Sequence, residues 1–480
     1  MKRRMFLALS AGALGGISLR SLPLSVAGAA EETAPFSISL AEWSLHSTLE
    51  AGLMTNLDFP RVSKQEFAID CVELVDQFFE DKAKDTAYLK ELKSRADGEG
   101  VAIGLIMIDT NGPLGAAGKA ARDSAVEGTF AWIDAAAYLG CHAVRVNARG
   151  VKNPDELRDN VAESCARLAD YAAERRLNVT IENHGGPSSD PEWLVSVMKA
   201  VSKPNFGTLP DFGNFPENVD RYAAVEAFMP YAKAVSAKAG SFTPDGLVKD
   251  TDFFRMMRIV RDGGYTGYVG VESSADKQGD EANAIRMTRD LLLRIREEEK
   301  RCGPIFNGLD LSGWTAVEGG DWTVKDGVLV GRNGRNWSTD PEKAGSWLRT
   351  AEQYGDFRLE LQYTISGDGN SGVFFRSAAE KNPAFTGYEM QIHDAPGQEP
   401  SKSGPGAIYD VAAPTANKAR PAGQWNTVTI IAKGPRITIE MNGERIIETE
   451  QTRSMGGYIG LQNHDERAEV RFRNIRLEKL

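Results

Sequence analysis

Between Phe36 and Glu272, short apolar runs alternate with longer stretches of helical periodicity, and this alternation limits the possible folds more than any other feature. The runs fall at 36–40, 68–75, 101–108, 143–147, 179–182, 207–211, 234–238 and 268–272. Amphipathic segments at 86–99, 124–139, 153–175 and 252–262 separate several of them. Near-continuous apolar runs joined by helices read as parallel strands buried on both faces. Eight such runs over roughly 265 residues predict a (β/α)8 barrel, with any chemistry at the ends of its strands. A final helix, 281–300, closes in a charged run that reads as a solvated helix end.

Polar residues collect where these strands should end. Trp43 and His46 follow the first strand, and Glu73 lies within the second. The fourth offers Arg145 and Asn147, the fifth Glu182 and His184, and the sixth Asp211 and Asn214. Lys238 closes the seventh and Glu272 the eighth. Each such group costs desolvation unless it meets a partner or a ligand. The stretch Val179–Phe215 delivers two carboxylates, Glu182 and Asp211, to one rim. They make either a metal site or an acid/base pair. Rim ion pairs, for instance Arg145 with Glu182, are the structural alternative.

The N-terminus opens Lys2-Arg3-Arg4-Met5-Phe6-Leu7, continues as an Ala/Gly-rich stretch and offers Ala27-Gly28-Ala29 as a cleavage site. Residues 1–30 therefore predict an export signal of twin-arginine character, placing the protein in the periplasm or outside the cell. Arg20, Pro23 and the glycines make this a poor spanning helix, so no stable membrane span is expected. A net charge of −11 supplies no phosphate-neutralising surface and argues against nucleic acid. Cys71, Cys141, Cys165 and Cys302 are widely spaced without a CxxC pattern; three of them lie inside apolar or helical pattern and read as buried thiols, and no metal role is expected for any. No strand is followed by a Gly-rich dinucleotide fingerprint, so no nucleotide cofactor is expected.

At Arg301-Cys-Gly-Pro304 helical periodicity stops. Alternating segments such as Phe357–Tyr363 and Glu469–Phe472 follow, and Lys325-Asp-Gly327 and Met441-Asn-Gly443 read as hairpin turns. The texture predicts an all-β sandwich. Pleat geometry puts Tyr388, Met390 and Ile392 on one face and Glu389, Gln391 and His393 on the other. Arg358, Glu360 and Gln362 alternate outward, Arg376 ends its strand, and Gln462 and His464 share a face. A polar stripe of this kind is either a sugar-binding groove or the ordinary wet face of a sandwich.

Ile181-Glu182-Asn183-His184, Leu209-Pro-Asp211-Phe-Gly-Asn214 and Gly267-Tyr-Val-Gly-Val-Glu272 make residues 34–300 resemble the xylose-isomerase-like sugar phosphate isomerase/epimerase family of TIM barrels. That resemblance implies a divalent cation held by Glu182, Asp211 and Glu272, with the two Glu exchanging protons with a substrate carbon. The family's strand-seven His would fall near Ser236, and the His that commonly follows the strand-six Asp is replaced by Asn214. A set of three carboxylates favours Mn, Mg or Ca over Zn. Two readings follow: His184 completes it with a nitrogen, or Lys238 acts instead as a cationic electrophile.

Residues 304–480 resemble the 3-keto-disaccharide hydrolase domain, a concanavalin-like jelly roll. The resemblance rests on Phe306–Trp314, Ser371-Gly-Val-Phe-Phe-Arg376, Gly387-Tyr-Glu-Met-Gln-Ile-His-Asp394, Gly406-Ala-Ile-Tyr409, Trp425-Asn426 and Gly460-Leu-Gln-Asn-His464. It implies Glu389 as acid/base, with Arg376, Gln391 and His464 holding the substrate beside Gln462 and His393.

Together the resemblances imply an enzyme that cleaves 3-keto-glycosides. In the expected sequence the barrel removes the C2 proton and expels the C1 substituent, with Glu182, Glu272 and Lys238 catalytic and His46, Arg145, Asn147, His184 and Asn214 binding substrate. The sandwich then hydrolyses or hydrates the 3-keto sugar. Two alternatives stand beside this: a metal-dependent sugar isomerase or epimerase carrying a carbohydrate-binding module, and a non-catalytic glycan-binding protein. The partner is an oligosaccharide or glycoside in each case, and the oligomeric state is open.

Overall fold

The computed structural model describes residues 35–480 except 276, 277, 336 and 465. The proposed export signal, 1–30, lies outside the described residues.

Eight parallel strands form the first half: β1 (Ser37–Ala41), β2 (Cys71–Val75), β3 (Ala102–Ile108), β4 (Ala143–Val146), β5 (Asn178–Glu182), β6 (Phe206–Leu209), β7 (Val235–Ala239) and β8 (Tyr268–Ser273). Their order is β6-β5-β4-β3-β2-β1-β8-β7, and the parallel bridges Thr208–Ala232 and Asp211–Ser236 join β6 to β7. The ring is therefore a closed TIM barrel. Helices begin where acidic or amide caps sit: Asn153 before Pro154–Ala173, Asp190 before Pro191–Val201, Asp220 before Arg221–Phe228 and Asp252 before Phe253–Asp262. Each cap accepts from backbone N–H groups of its first turn, which lack partners within the helix.

Four strands are shorter than the apolar runs suggested, β3 and β4 by one residue each and β2 and β6 for reasons visible in the chain. β2 starts at Cys71 because the preceding helix ends with Ala68 in the left-handed conformation (φ 52°), which gives Ala68–Asp70 to the turn. β6 stops at Leu209 because Pro210 has no N–H to offer a ladder.

The helix Gln278–Arg301 leads directly into the second half, an antiparallel sandwich. One sheet runs in the order Trp314–Val317, Trp347–Tyr354, Gly457–Gln462, Asn370–Ser377, Tyr388–His393. The other has eight strands, among them Phe357–Ile365, Asn426–Lys433, Arg436–Met441 and Val470–Lys479. Both expected hairpins are present, with φ 52° and 77° at Asp326 and Gly327 and 53° and 83° at Asn442 and Gly443. Positive φ at both central residues is what the favoured two-residue hairpin turn requires. Leu359, Leu361, Tyr388, Met390, Ile430 and Phe472 belong to the core between the sheets. All four cysteines are buried and free.

Arg358, Glu360 and Gln362 do not form part of an open groove, contrary to the polar-stripe reading. They face barrel helices. Arg261 lies between Asp262 (2.9 Å) and Glu360 (3.0 Å), Arg358 pairs with Glu298 and with Glu360 (2.7 Å), and Gln362 donates to Asp262 at 3.1 Å. Alternation told which side of the strand these residues take, but not what covers it. Arg261, Asp262, Glu298 and Glu299 sit in the last turns of their helices. Helices of a βα repeat run antiparallel to the strands, so these turns lie at the end of the barrel opposite the strands' C-termini. The sandwich thus docks its eight-stranded sheet away from the rim that carries the barrel's polar residues.

Candidate active site

The barrel brings Glu182, Asp211 and Glu272 together. They are 1 %, 0 % and 4 % exposed, and one carboxylate oxygen from each lies within 4.8 Å of the others. Asn183 holds the Asp211 backbone on both sides, donating to its carbonyl at 3.0 Å and accepting from its N–H at 2.8 Å. The backbone N–H groups of Gly213 and Asn214 donate to Asp211 Oδ1, both at 2.8 Å, and Asn214 Nδ2 donates to Glu182 Oε1 at 2.9 Å. Lys238 Nζ donates to Glu272 Oε1 at 2.8 Å, and Ser236 Oγ to Glu272 Oε2 at 3.0 Å.

The rim ion pair weighed as an alternative exists as well. Arg145 is clamped between Asp109 (Nη1, 2.7 Å) and Glu182 (Nε, 2.8 Å), although the second contact is an ion pair without hydrogen-bond alignment. Asn147 binds the same Asp109. Asp109 went unremarked in the sequence, although a carboxylate directly after the apolar run ending at Ile108 was the signal to find it. Glu73 lies in the barrel interior, accepting from Ser39 Oγ at 2.5 Å. Its carboxylate occupies room that only glycine leaves, since a Cβ at Gly270 would stand 2.8 Å from Oε2.

Burial pushes the Glu182 carboxyl up, with Arg145 opposing, and pushes Asp211 up, with Lys238 opposing. Burial works on Glu272 in the same sense, but Lys238, Arg145 and the Ser236 hydroxyl together outweigh it and hold this carboxyl below its ordinary value. Glu272 is thus biased toward the ionised form and Glu182 and Asp211 toward the protonated one, the kind of separation that divides base from acid. His184 is exposed, and His46 stacks on Trp43 with ring centroids 4.7 Å apart while Nδ1 meets the Trp43 carbonyl at 2.8 Å.

The sandwich has a second constellation on the face its five-stranded sheet turns away from the core. A cavity of about 260 Å³ is lined by Glu389, Gln391, Gln462, His464, Asn370 and Tyr409, among others. Glu389 is 4 % exposed, and burial drives its carboxyl up to about 8, eased only by the Gln462 amide. Gly372 on the paired strand makes room for it: a Cβ there would stand 2.2 Å from Glu389 Oε1. Gln391 Nε2 donates to Asn370 Oδ1 at 2.8 Å. Trp337, half-buried, closes one side, its ring stacked on His464 and its Nε1 donating to the Asn463 carbonyl at 2.8 Å. Trp337 carried no signal in the sequence because it comes from a loop, and Tyr409 was marked only as the end of the Gly406-Ala-Ile-Tyr409 motif, without a role.

Two expected substrate contacts lie elsewhere. Arg376 is 0 % exposed, and its guanidinium donates to the Gly355 and Gly434 carbonyls, both at 2.8 Å, and to Asp356 at 3.0 Å. It ties loops together and, being fully buried, presents no donor to a sugar. His393 ends its strand half-buried, outside the cavity lining.

Residues 65–296 match the family model of the xylose isomerase-like TIM barrel, and residues 302–478 that of the 3-keto-alpha-glucoside-1,2-lyase-like domain. The chain fuses these two families. A 3-keto-disaccharide hydrolase of Bacteroides thetaiotaomicron is 25% identical over 228 residues, which are 37% of this chain and 77% of that protein. The solved 3-keto-D-glucoside 4-epimerase of E. coli is 16% identical, with a TM-score of 0.42 over 51% of this chain and 94% of its own. A xylose isomerase domain protein from Planctomyces limnophilus is 16% identical, with a TM-score of 0.44 over 57% of this chain and 100% of its own.

The xylose isomerase-like barrel implies a divalent cation. Asp211 Oδ2 is buried without any hydrogen bond, and Glu182 Oε2 meets only the Arg145 guanidinium, at 2.8 Å and out of hydrogen-bond alignment, which leaves lone pairs toward the space shared with Glu272. Three hard oxygen donors so placed fit Mg²⁺, Mn²⁺ or Ca²⁺. The lyase-like domain places a single buried carboxyl among neutral amides, which suits proton transfer rather than metal binding.

Proposed function

We propose that this chain is an exported carbohydrate-active enzyme that breaks down 3-keto-glycosides, with proton transfers beside the C3 ketone in both halves. The observation that carries the reading is Glu389, a lone buried carboxyl with a raised pKa at the floor of a polar cavity, within a domain of the 1,2-lyase-like family. The carbonyl at C3 acidifies the C2–H. Glu389 takes that proton, the C1–O bond breaks, a C1=C2 double bond forms, and the departing aglycone oxygen acquires a proton. Gln391, Gln462 and His464 line the same cavity and supply polar contacts for the sugar hydroxyls.

This assignment gives elimination to the sandwich, whereas the motifs had suggested the barrel. The barrel then adds water across the enone, and the two steps sum to hydrolysis. Glu272, ionised beside Lys238, is the proton acceptor, and Glu182 and Asp211 hold protons for return to carbon. Lys238 and Arg145 stabilise developing negative charge on the substrate oxygen. With all three carboxyls ionised, Glu182, Asp211 and Glu272 would hold a divalent cation in place of those protons, and the cation when bound supplies Lewis-acid polarisation of that carbonyl.

The sandwich cavity shares no lining residue with the barrel cluster, so the intermediate crosses through solvent. With a 3-keto-disaccharide and the full-length protein, mass spectrometry should show free aglycone sugar and 3-keto-monosaccharide. Glu272→Gln should accumulate a species lighter than the keto-monosaccharide by one water. Unchanged substrate with the wild-type protein would refute the reading. The barrel's convergent acids also favour a sugar isomerase, for which the same variant should abolish aldose–ketose interconversion of unoxidised sugars. For the cation, elemental analysis should find about one Mn, Mg or Ca per chain in the wild type and far less in Asp211→Asn.

A further inference from the structure

A second polar cavity, of about 280 Å³, lies along the seam where helices Arg221–Phe228 and Phe253–Asp262 of the barrel meet the outward face of the eight-stranded sheet. It shares no residue with either candidate active site. Its charges are unevenly matched. Of its acids, Glu226 pairs with Arg420 at 3.2 Å, and Asp262 is held by Arg261 at 2.9 Å and Gln362 at 3.1 Å. Its remaining guanidinium groups have no such partner. Arg258 makes no hydrogen bond or close ion pair among the described residues, and its charge acts on Asp262 and Glu360 only from a distance. Arg473 donates through Nε to Gln362 Oε1 at 2.7 Å and stacks over Trp425 at 4.0 Å, and its Nη nitrogens make no ion pair among the described residues. Arg255 lies over the Tyr222 ring at 3.9 Å. Burial lowers the Arg473 pKa, with Asp262 and Glu226 only partly offsetting it, consistent with a guanidinium short of counter-charge.

Guanidinium groups free to present paired N–H donors match an oxyanion in both charge and shape. The sandwich wall of the same cavity adds Thr429 and the Glu440 carboxylate, which suit hydroxyl groups rather than a second anion. We propose that the seam cavity binds a small polyhydroxylated anion, a sugar acid, with its carboxylate on Arg258 and Arg473 and its hydroxyls toward Thr429 and Glu440. Such an occupant touches both halves at once, so its binding stiffens their docking.

Calorimetric titration of the full chain with gluconate, glucuronate, glucose 6-phosphate, inorganic phosphate and glucose tests this. Gluconate and glucuronate should bind and raise the melting temperature, while glucose should do neither. Arg258→Ala should weaken binding by about tenfold or more, as expected for the loss of a charged hydrogen-bond donor. Arg258→Ala also removes a charge that acts on the buried Asp262 and Glu360, so Arg258→Lys is the control for folding: it keeps the charge, loses the paired N–H donors, and should weaken binding while the ligand-free melting temperature stays near that of the wild type. Binding by the phosphate-bearing probes alone would overturn the sugar-acid assignment in favour of a phosphate site. Binding of no anion, or binding indifferent to Arg258→Ala, would overturn the site itself. Neither result bears on 3-keto-glycoside cleavage, whose residues are elsewhere.

Discussion

Glu389→Gln is expected to lower cleavage of a 3-keto-disaccharide by ~10²–10⁴-fold, the range a positioned general base contributes. The substitution keeps the shape of the side chain above Gly372 and removes only the titrating proton. For the wild type the sign of the pH dependence follows from the raised pKa. Glu389 accepts a proton only when ionised, so kcat/KM should rise with pH and level off above about 8. Stability should run the other way. Between the ordinary carboxyl value of 4.5 and about 8, the folded chain keeps a proton that the unfolded chain has lost. The melting temperature of the wild type should therefore decline through that window, and the decline should be smaller in Glu389→Gln. A variant that cleaves at the wild-type rate, or a rate that falls as pH approaches 8, would remove Glu389 from the role of base.

The second large effect is on stability. Arg261→Ala would leave Glu360 and Asp262 buried without the cation that both contact, with Glu299 close by at 3.8 Å. Breaking a buried ion pair by removing one partner costs ~3–5 kcal/mol, because the remaining charge stays desolvated. Burial alone would push Glu360 up, and Arg261 and Arg358 together hold it below its ordinary value, so losing Arg261 should also drive Glu360 toward protonation. Denaturant titration should show the loss, and limited proteolysis should open the junction near Cys302 before either half unfolds. Adding Glu360→Gln to Arg261→Ala should recover part of the loss. If Arg261→Ala shifts the unfolding midpoint no more than an exposed pair does, about 0–1 kcal/mol, the network is not what joins the halves.

Much of the barrel was legible because a strand buried on both faces must be apolar throughout, and a helix wrapped around it must be amphipathic. Glu182, Asp211 and Glu272 announced themselves as charges ending such runs, where nothing in local packing accounts for them. Glu389 was legible by alternation, since Tyr388, Met390 and Ile392 left it no place in the core. The same logic misjudged Arg376. Both its position at a strand end and the family motif suggested a free guanidinium, yet its donors are taken by the Gly355 and Gly434 carbonyls and by Asp356. Those partners are distant in sequence and have no side-chain signature that a motif could record.

Local pattern by itself determined the order of strands and helices, the turn types at Asp326-Gly327 and Asn442-Gly443, and which residues point away from each core. Those properties depend on backbone conformation and on periodicity within a few residues. Only the tertiary structure decided which outward face stays open. It set the Arg358–Gln362 stripe against the barrel helices and left the Glu389 face to form a cavity. It also decided that Lys238 lies on Glu272 and Arg145 between Asp109 and Glu182. Charge pairing across a fold depends on through-space distance, and strands separated by whole helices bring together groups that the linear order keeps apart.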